Sequence, residues 1–502
     1  MKALSLETHI KPIVGKYRGS NIVSIMLTAC AAYWLYHCWR ILSEGLTTLG
    51  IDTYSATWGV LVANTVHIIG ISHVGIAISA AVRVLHLDRY RNIARLAELV
   101  TVIALVMAVA NLLLHVGRPD RFILNVVLYG KWHSPMVWSM TVFTTYFLAS
   151  SVYLYLSMRR DLWSMSNITD RFGKLYRFLT FGYTDSSDQR ARHERTLFWM
   201  ALILIPIMVS VHSVYGLLFG MISAQAGWYN PLQAPYFVLG AIVSGFSAII
   251  VIAALLRKTF AWQQLLTDQL FKAFGAFLTF VVFLYLYFIL SEQLTSQYLP
   301  MESERAVSDS LLTGRFAVSF WTATSLGLIL PFVYLLVQSV KRNYVHIGLT
   351  AMSAVLINVA MWVKRYLIVV PTQYQANLPM ARPSFEYTPT YTEWVVTLGS
   401  YVVAALILVF LLRLLPLFEL PVVTEQVSAT HLTDRPSARR VVMVLSLISG
   451  LLMIAWGVAT REGDFGPVKW LTGIVFLLVI PMANCLIDIT PREPEGKSKV
   501  QH

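Results

Sequence analysis

The stretch RLAELVTVIALVMAVANLLLHVGRPDRF (Arg95–Phe122) decides how the chain is read. Its first 22 residues form an apolar run, 95–116, broken only at the ends, which is the length a helix needs to cross a hydrocarbon core of about 30 Å. It then closes on His115, Gly117, Arg118, Pro119, Asp120 and Arg121, and KWHSPMVW (Lys131–Trp138) comes before the next apolar run. Ionisable groups at a membrane boundary are costly to desolvate, so a cluster of them marks a candidate site.

Eleven further runs of similar length occupy 20–41, 57–82, 136–158, 196–218, 235–256, 269–291, 316–338, 345–369, 393–415, 440–460 and 468–488. Of the 502 residues, 57% are hydrophobic and 13% charged, with a mean hydropathy of +0.63. A soluble domain carries about 25% charged residues. The fold class is therefore an all-α polytopic membrane protein of ten to twelve spans. A ten-helix domain is expected over 1–418, with a more polar connector, two extra helices and a tail over 419–502.

The net charge of +13 does not indicate nucleic acid, because the bases lie in loops and follow membrane topology. With the N-terminus inside, 28 of the 39 Lys and Arg fall on inner segments and 11 on outer ones. Both termini are thus expected on the cytoplasmic side of the membrane. Cys30, Cys38 and Cys485 are in no metal-ligand spacing, so neither an iron–sulfur cluster nor a zinc site is expected in this chain. No cleavable signal peptide is visible. Outer segments such as GWYNPLQAPYF (Gly227–Phe237) and PSFEYTPTYTEW (Pro383–Trp394) are rich in aromatics and proline, which suits interface anchoring and a protein-docking surface.

On this topology His67, His115, His133 and His212 fall in the outer half of the first five runs and His73 lies near mid-membrane. A neutral imidazole accepts a proton from a hydroxyl that it hydrogen-bonds. His115 and Asp120 are the candidate proton acceptors for a quinol, while Arg118 and Arg121 would orient a carbonyl or hold an anionic quinone species. His133, His212, His67 and Trp138 complete the candidate binding set. For a single transmembrane histidine the structural alternative is an interhelical hydrogen bond. A bis-histidine haem between His67 and His212 is disfavoured, because a second, deeper pair is missing. Glu98 is either the inner mouth of a proton path, with His73 and Ser139 as further candidates, or a carboxylate snorkelling toward Arg95. Lys364 and Arg365 have the same snorkelling alternative.

These residues carry a resemblance. GISHVGIAISA (Gly70–Ala80), LLHVGRP (Leu113–Pro119), HSPMVW (His133–Trp138), VHSV (Val211–Val214), APYFVLGAIVSGF (Ala234–Phe246), NVAMWVKRYLIVV (Asn358–Val370) and YTPTYTEW (Tyr387–Trp394) are similar to motifs of the NrfD/PsrC-type membrane subunits, in the same order. Within that family the chain resembles the ActC (alternative complex III) and QrcD branch. The resemblance implies two four-helix bundles with flanking helices and a site for menaquinone or ubiquinone near the periplasmic face. It further implies no haem or cluster in the chain itself and a [4Fe–4S] partner subunit on that side. A molybdopterin-like or cytochrome c subunit, other membrane subunits and lipid complete the expected partners. The family pattern often places carboxylates where this chain has Ser139, Leu218 and Lys364, so quinone chemistry without proton pumping is expected. A scaffold without quinone turnover is the main alternative. A secondary transporter is disfavoured by the missing repeat and the absence of broken helices at mid-membrane.

Overall fold

The computed structural model describes residues 20–51, 57–87, 90–168, 172–223, 225–299, 301–341, 344–374 and 387–418. The two apolar runs at 440–460 and 468–488 lie outside them. Every other predicted run is helical: α1 (Ser20–Glu44), α2 (Val60–Val84), α3 (Arg91–Val116), α5 (Pro135–Ile168), α7 (Ser187–Gly220), α8 (Gln233–Phe260), α9 (Asp268–Tyr298), α11 (Ala317–Val340), α12 (Ile347–Val369) and α13 (Tyr391–Leu414). Between them lie three short helices, α4 (Pro119–Tyr129), α6 (Gly173–Leu179) and α10 (Glu302–Leu312). Among the described residues nine helices are long and apolar enough to span a membrane, and the 34-residue α5, rich in Ser, Thr and Tyr, falls outside that count. In hydrocarbon a backbone must satisfy its own polar groups, which leaves helices as the outcome for such runs.

The stretch 159–195, between two of the apolar runs, is largely helical. α5 continues to Ile168 and α7 begins at Ser187. Charge does not end a helix, because the backbone hydrogen bonds remain internal; only membrane exit was legible there. Residues 155–199 belong to the smaller of two compact units; within it Asp185, at φ 55°, accepts from Tyr183 (2.8 Å) and Arg190 (2.7 Å) and pairs with Arg160 at 3.4 Å. Arg159 donates to the Thr180 carbonyl at 3.0 Å.

In the larger unit, α8, α9, α11 and α12 pack as one four-helix group, and α2 packs along α3, α8 and α12. Tyr146 of α5 and His73 of α2 tie the other group together through the Ser72 carbonyl (3.0 Å) and the Met208 carbonyl of α7 (2.9 Å). α1 and α13 pair with each other and flank α3. α11 contains a π-helical turn at Ala323–Ile329. α13 starts in a capping box: Glu393 donates its N–H to the Thr390 hydroxyl at 3.3 Å, while the Glu393 carboxylate accepts from the Thr390 N–H at 2.8 Å. The same carboxylate accepts from Gly50 N–H (2.9 Å) and Tyr387 hydroxyl (2.7 Å).

Candidate functional site

His115 ends α3, and the next few residues reverse the chain for local reasons. Gly117 turns it at φ 72°, where a Cβ would meet Leu46 Cδ2 at 2.7 Å, and Pro119 opens α4 at a first-turn position that needs no N–H. The HVGRP motif is thus a helix stop, a left-handed turn and a helix start in five residues. It leaves His115 on the wall of a cavity of about 390 Å³ between α2, α3, α5 and α7.

The cavity is mostly apolar, with a few polar groups: His115, Ser139, Tyr215, Thr57 and Thr65. Thr65 and Ser139 donate to the helix carbonyls of Leu61 and Met136, each at 2.8 Å. By contrast, the side chains of His115 and Tyr215 make no hydrogen bond within the described residues. Trp58, Leu112, Met140 and Phe219 supply apolar wall. Trp58 is held from outside the bundle: its N–H donates to the Gln373 side-chain oxygen at 3.1 Å, while Gln373 Nε2 donates to the Trp58 carbonyl at 2.6 Å. Trp58 stacks on Trp228 with ring centroids 5.1 Å apart, and Phe219 packs edge-on against both.

Trp228 is placed by its own loop. Gly227, at φ 79°, donates to Glu304 Oε2 at 2.9 Å, and Trp228 Nε1 donates to the Ile368 carbonyl at 2.9 Å. Burial in α10 pushes the Glu304 carboxyl up, and the Gly227 N–H opposes that rise. The Tyr387 hydroxyl is likewise raised, first by burial and then by the neighbouring Glu393 carboxylate.

The predicted candidates therefore separate. His115 and Ser139 line this cavity. Arg118 and Arg121 line a neighbouring open cleft of about 570 Å³, and Asp120, on the first turn of α4, is exposed and makes no ion pair within the described residues. His133 is exposed and lines neither space. Trp138 lines neither space and donates its indole N–H to the Trp132 carbonyl.

His67, His73 and His212 lie deep inside, 0–1% exposed. The rings of His73 and His212 touch edge-to-face with centroids 4.2 Å apart. His73 faces the carbonyls of Ile69 and Met208, both at 2.9 Å. A neutral imidazole carries one N–H, so it donates to only one of them at a time. Both His212 nitrogens lack a partner among the described residues. His67 Nε2 meets Asn358 Oδ1 at 3.3 Å, and Asn358 is oriented by donating to the Ser244 carbonyl and the Ser247 hydroxyl, both at 2.9 Å.

Two snorkelling readings are corrected. Glu98 is 2% exposed, accepts from Ser79, and connects through Ser79 to Tyr153 (2.7 Å) and from there to Arg83 (2.9 Å). Lys364 and Arg365 are 2% and 1% exposed. Arg365 lies 4.4 Å over the Phe237 ring and donates to the Phe237 carbonyl at 3.3 Å, and Lys364 lies 4.6 Å over Phe320. Aromatic faces and a carbonyl hold these cations inside the protein, where lipid would have driven them to the surface. Glu292 of α9 is the carboxylate whose charge acts on both.

Sequence reasoning missed Tyr215, Trp58, Glu292 and the asparagine hub. Asn64 Oδ1 accepts from Trp362 (3.1 Å) and Tyr401 (2.9 Å), and Asn64 Nδ2 donates to Asn111 Oδ1 at 3.1 Å. Asparagines 47 residues apart inside two apolar runs were the available signal.

Residues 48–377 match the model of the family described as polysulphide reductase, NrfD. The chain is 29% identical over 417 residues, covering 79% of it and 90% of the relative, to a membrane subunit assigned to dimethyl sulfoxide reductase in Halobacterium salinarum. It is 26% identical over 404 residues, 78% of it and 92% of the relative, to a selenate reductase subunit of Mesobacillus selenatarsenatis. It is 23% identical over 386 residues, 74% of it and 87% of the relative, to the Hdr-like menaquinol oxidoreductase integral membrane subunit of Archaeoglobus fulgidus. The match over two thirds of the chain, on a helical membrane fold with its motifs in order, makes this protein a member of the NrfD family.

Proposed function

We propose that the chain is the quinone-interacting membrane subunit of a multi-subunit oxidoreductase, and that the headgroup of a menaquinone or ubiquinone occupies the His115 cavity. The observation that carries this reading is the pairing of an unpartnered imidazole and an unpartnered phenol on the wall of an otherwise apolar space of about 390 Å³. A few polar groups in an apolar pocket of this size suit a drug-sized, mostly apolar ligand. A menaquinol-linked relative of similar length supports the same ligand class.

In quinol oxidation two protons and two electrons leave the headgroup. His115 accepts one hydroxyl proton, the second leaves from the hydroxyl that Tyr215 hydrogen-bonds, and both pass to water at the face bearing the exposed Asp120. The electrons go to an iron–sulfur cluster of a partner subunit on that face, with a molybdopterin-like or cytochrome c subunit further along. In quinone reduction the same groups work in reverse. The charge count favours the periplasmic side of a prokaryotic inner membrane for this face and the cytoplasm for both termini.

Photolabelling of the isolated complex with an azido-naphthoquinone tests the placement. Adducts should fall in Leu112–Val116 and Tyr215–Phe219. Adducts confined to other helices would overturn it.

A further inference from the structure

The cleft beside the quinone cavity has a different chemistry. Arg118, Arg121 and Lys131 line a space of about 570 Å³, next to Phe122, Val126 and Val137. None of the three cations has an ion pair or hydrogen bond within the described residues, and Asp120, adjacent to Arg121, leaves them uncompensated. α4 is two-sided. Residues 118, 121 and 125 recur at helical spacing on the cleft side, whereas Ile123, Leu124 and Val127 are 49%, 55% and 43% exposed on another. Arg118 at its N-cap and Arg121 on its first turn thus share the cleft side with Asn125, and a short helix with an exposed apolar stripe and cations at one end suits a membrane interface.

We infer that this cleft binds the phosphate group of an anionic phospholipid in the leaflet on the His115 face. Three exposed cations around one cleft, none paired within the described residues, favour an anion there, and a phosphodiester offers oxygens that Arg and Lys both engage. The apolar half of the cleft then takes the first segments of an acyl chain, a combination that free phosphate does not need, and the exposed apolar stripe of α4 beside it suits the lipid that surrounds the bundle. Val116, Phe122 and Met136 line both this cleft and the His115 cavity, so the lipid sits against a shared wall. The lipid site stands whatever occupies that cavity.

Native mass spectrometry of the isolated complex, titrated with phosphatidylglycerol or phosphatidylcholine, tests it. The double variant Arg121→Gln/Lys131→Gln should weaken the tightest phosphatidylglycerol binding about 25-fold, at roughly fivefold per cation, with phosphatidylcholine binding unchanged. The charge-preserving pair Arg121→Lys/Lys131→Arg should retain most of the affinity, which separates charge from folding. Unchanged phosphatidylglycerol binding in the Gln variant would overturn the proposal. So would equal displacement of the lipid by inorganic phosphate, or loss of an acidic protein subunit from the variant while its lipid binding stays intact.

Discussion

Two glycines on one helix should respond oppositely to alanine. At Gly75 a Cβ would stand 2.4 Å from the Ala97 carbonyl oxygen, 2.7 Å from the Ala97 carbonyl carbon and 2.3 Å from Thr101 Oγ1. Ordinary contact begins near 3.4 Å, so α2 and α3 must separate by about 1 Å, because backbone cannot rotate out of the way. The move also strains the 3.0 Å hydrogen bond from Gly75 N–H to Thr101 Oγ1. Overpacking of this kind costs about 1–3 kcal/mol. At Gly70 nothing approaches closer than 3.4 Å, and alanine recovers up to about 1 kcal/mol of helix propensity. Thermal denaturation of the detergent-solubilised complex, followed by size-exclusion chromatography, should show Gly75→Ala several degrees below wild type and Gly70→Ala at or above it. Since α2 and α3 both line the His115 cavity, Gly75→Ala should also lower quinone turnover. Equal melting of the two variants would refute the packing argument.

Other outcomes rest on the same geometry. Tyr215→Phe removes one hydrogen bond of about 0.5–1.5 kcal/mol, so kcat/KM for quinol should fall roughly twofold to twelvefold; no change would remove Tyr215 from the site. Glu292→Gln leaves Lys364 and Arg365 without the carboxylate that acts on both. It should lower the melting temperature by several degrees, and Lys364→Met added to it should restore most of the loss; melting unchanged in the single variant would refute the coupling. Glu304 has a folded value raised above its ordinary 4.5 by burial. The folded state therefore favours the protonated carboxyl, whose contribution is full below pH 4.5 and is lost as pH rises through the folded value. Melting curves across about pH 4–8 should flatten in Glu304→Gln, which keeps an acceptor for Gly227, and an unaltered slope would contradict the assignment.

Much of the architecture was legible because hydrocarbon permits so few backbones: a run of about twenty apolar residues has no alternative to a helix. His115 was legible as a boundary residue and Ser139 from the resemblance, as a proton-path candidate where the family pattern often has a carboxylate, and both line the cavity. Spacing along the chain could not separate Arg118 and Arg121 from His115, since one left-handed glycine at 117 sends them into a different cleft. Nor could it show that Lys364 and Arg365 turn inward, because their holding groups, Phe237, Phe320 and Glu292, come from three other helices. The expectation of chemistry without pumping rested on carboxylates missing from local motifs. Glu292 comes near the two cations from a distant helix, so counting carboxylates motif by motif underestimates what the bundle holds. Tyr215 lies one helical turn from His212, and only the fold reveals that one faces the cavity and the other the protein interior.

The most direct measurement is quinol turnover by the isolated complex with His115→Ala, with subunit assembly checked in parallel by native gel. A positioned proton acceptor contributes about 10²–10⁴-fold, so turnover should drop at least a hundredfold with assembly intact. Turnover within twofold of wild type in a fully assembled complex would contradict the assignment of His115 as the group that exchanges protons with the quinone.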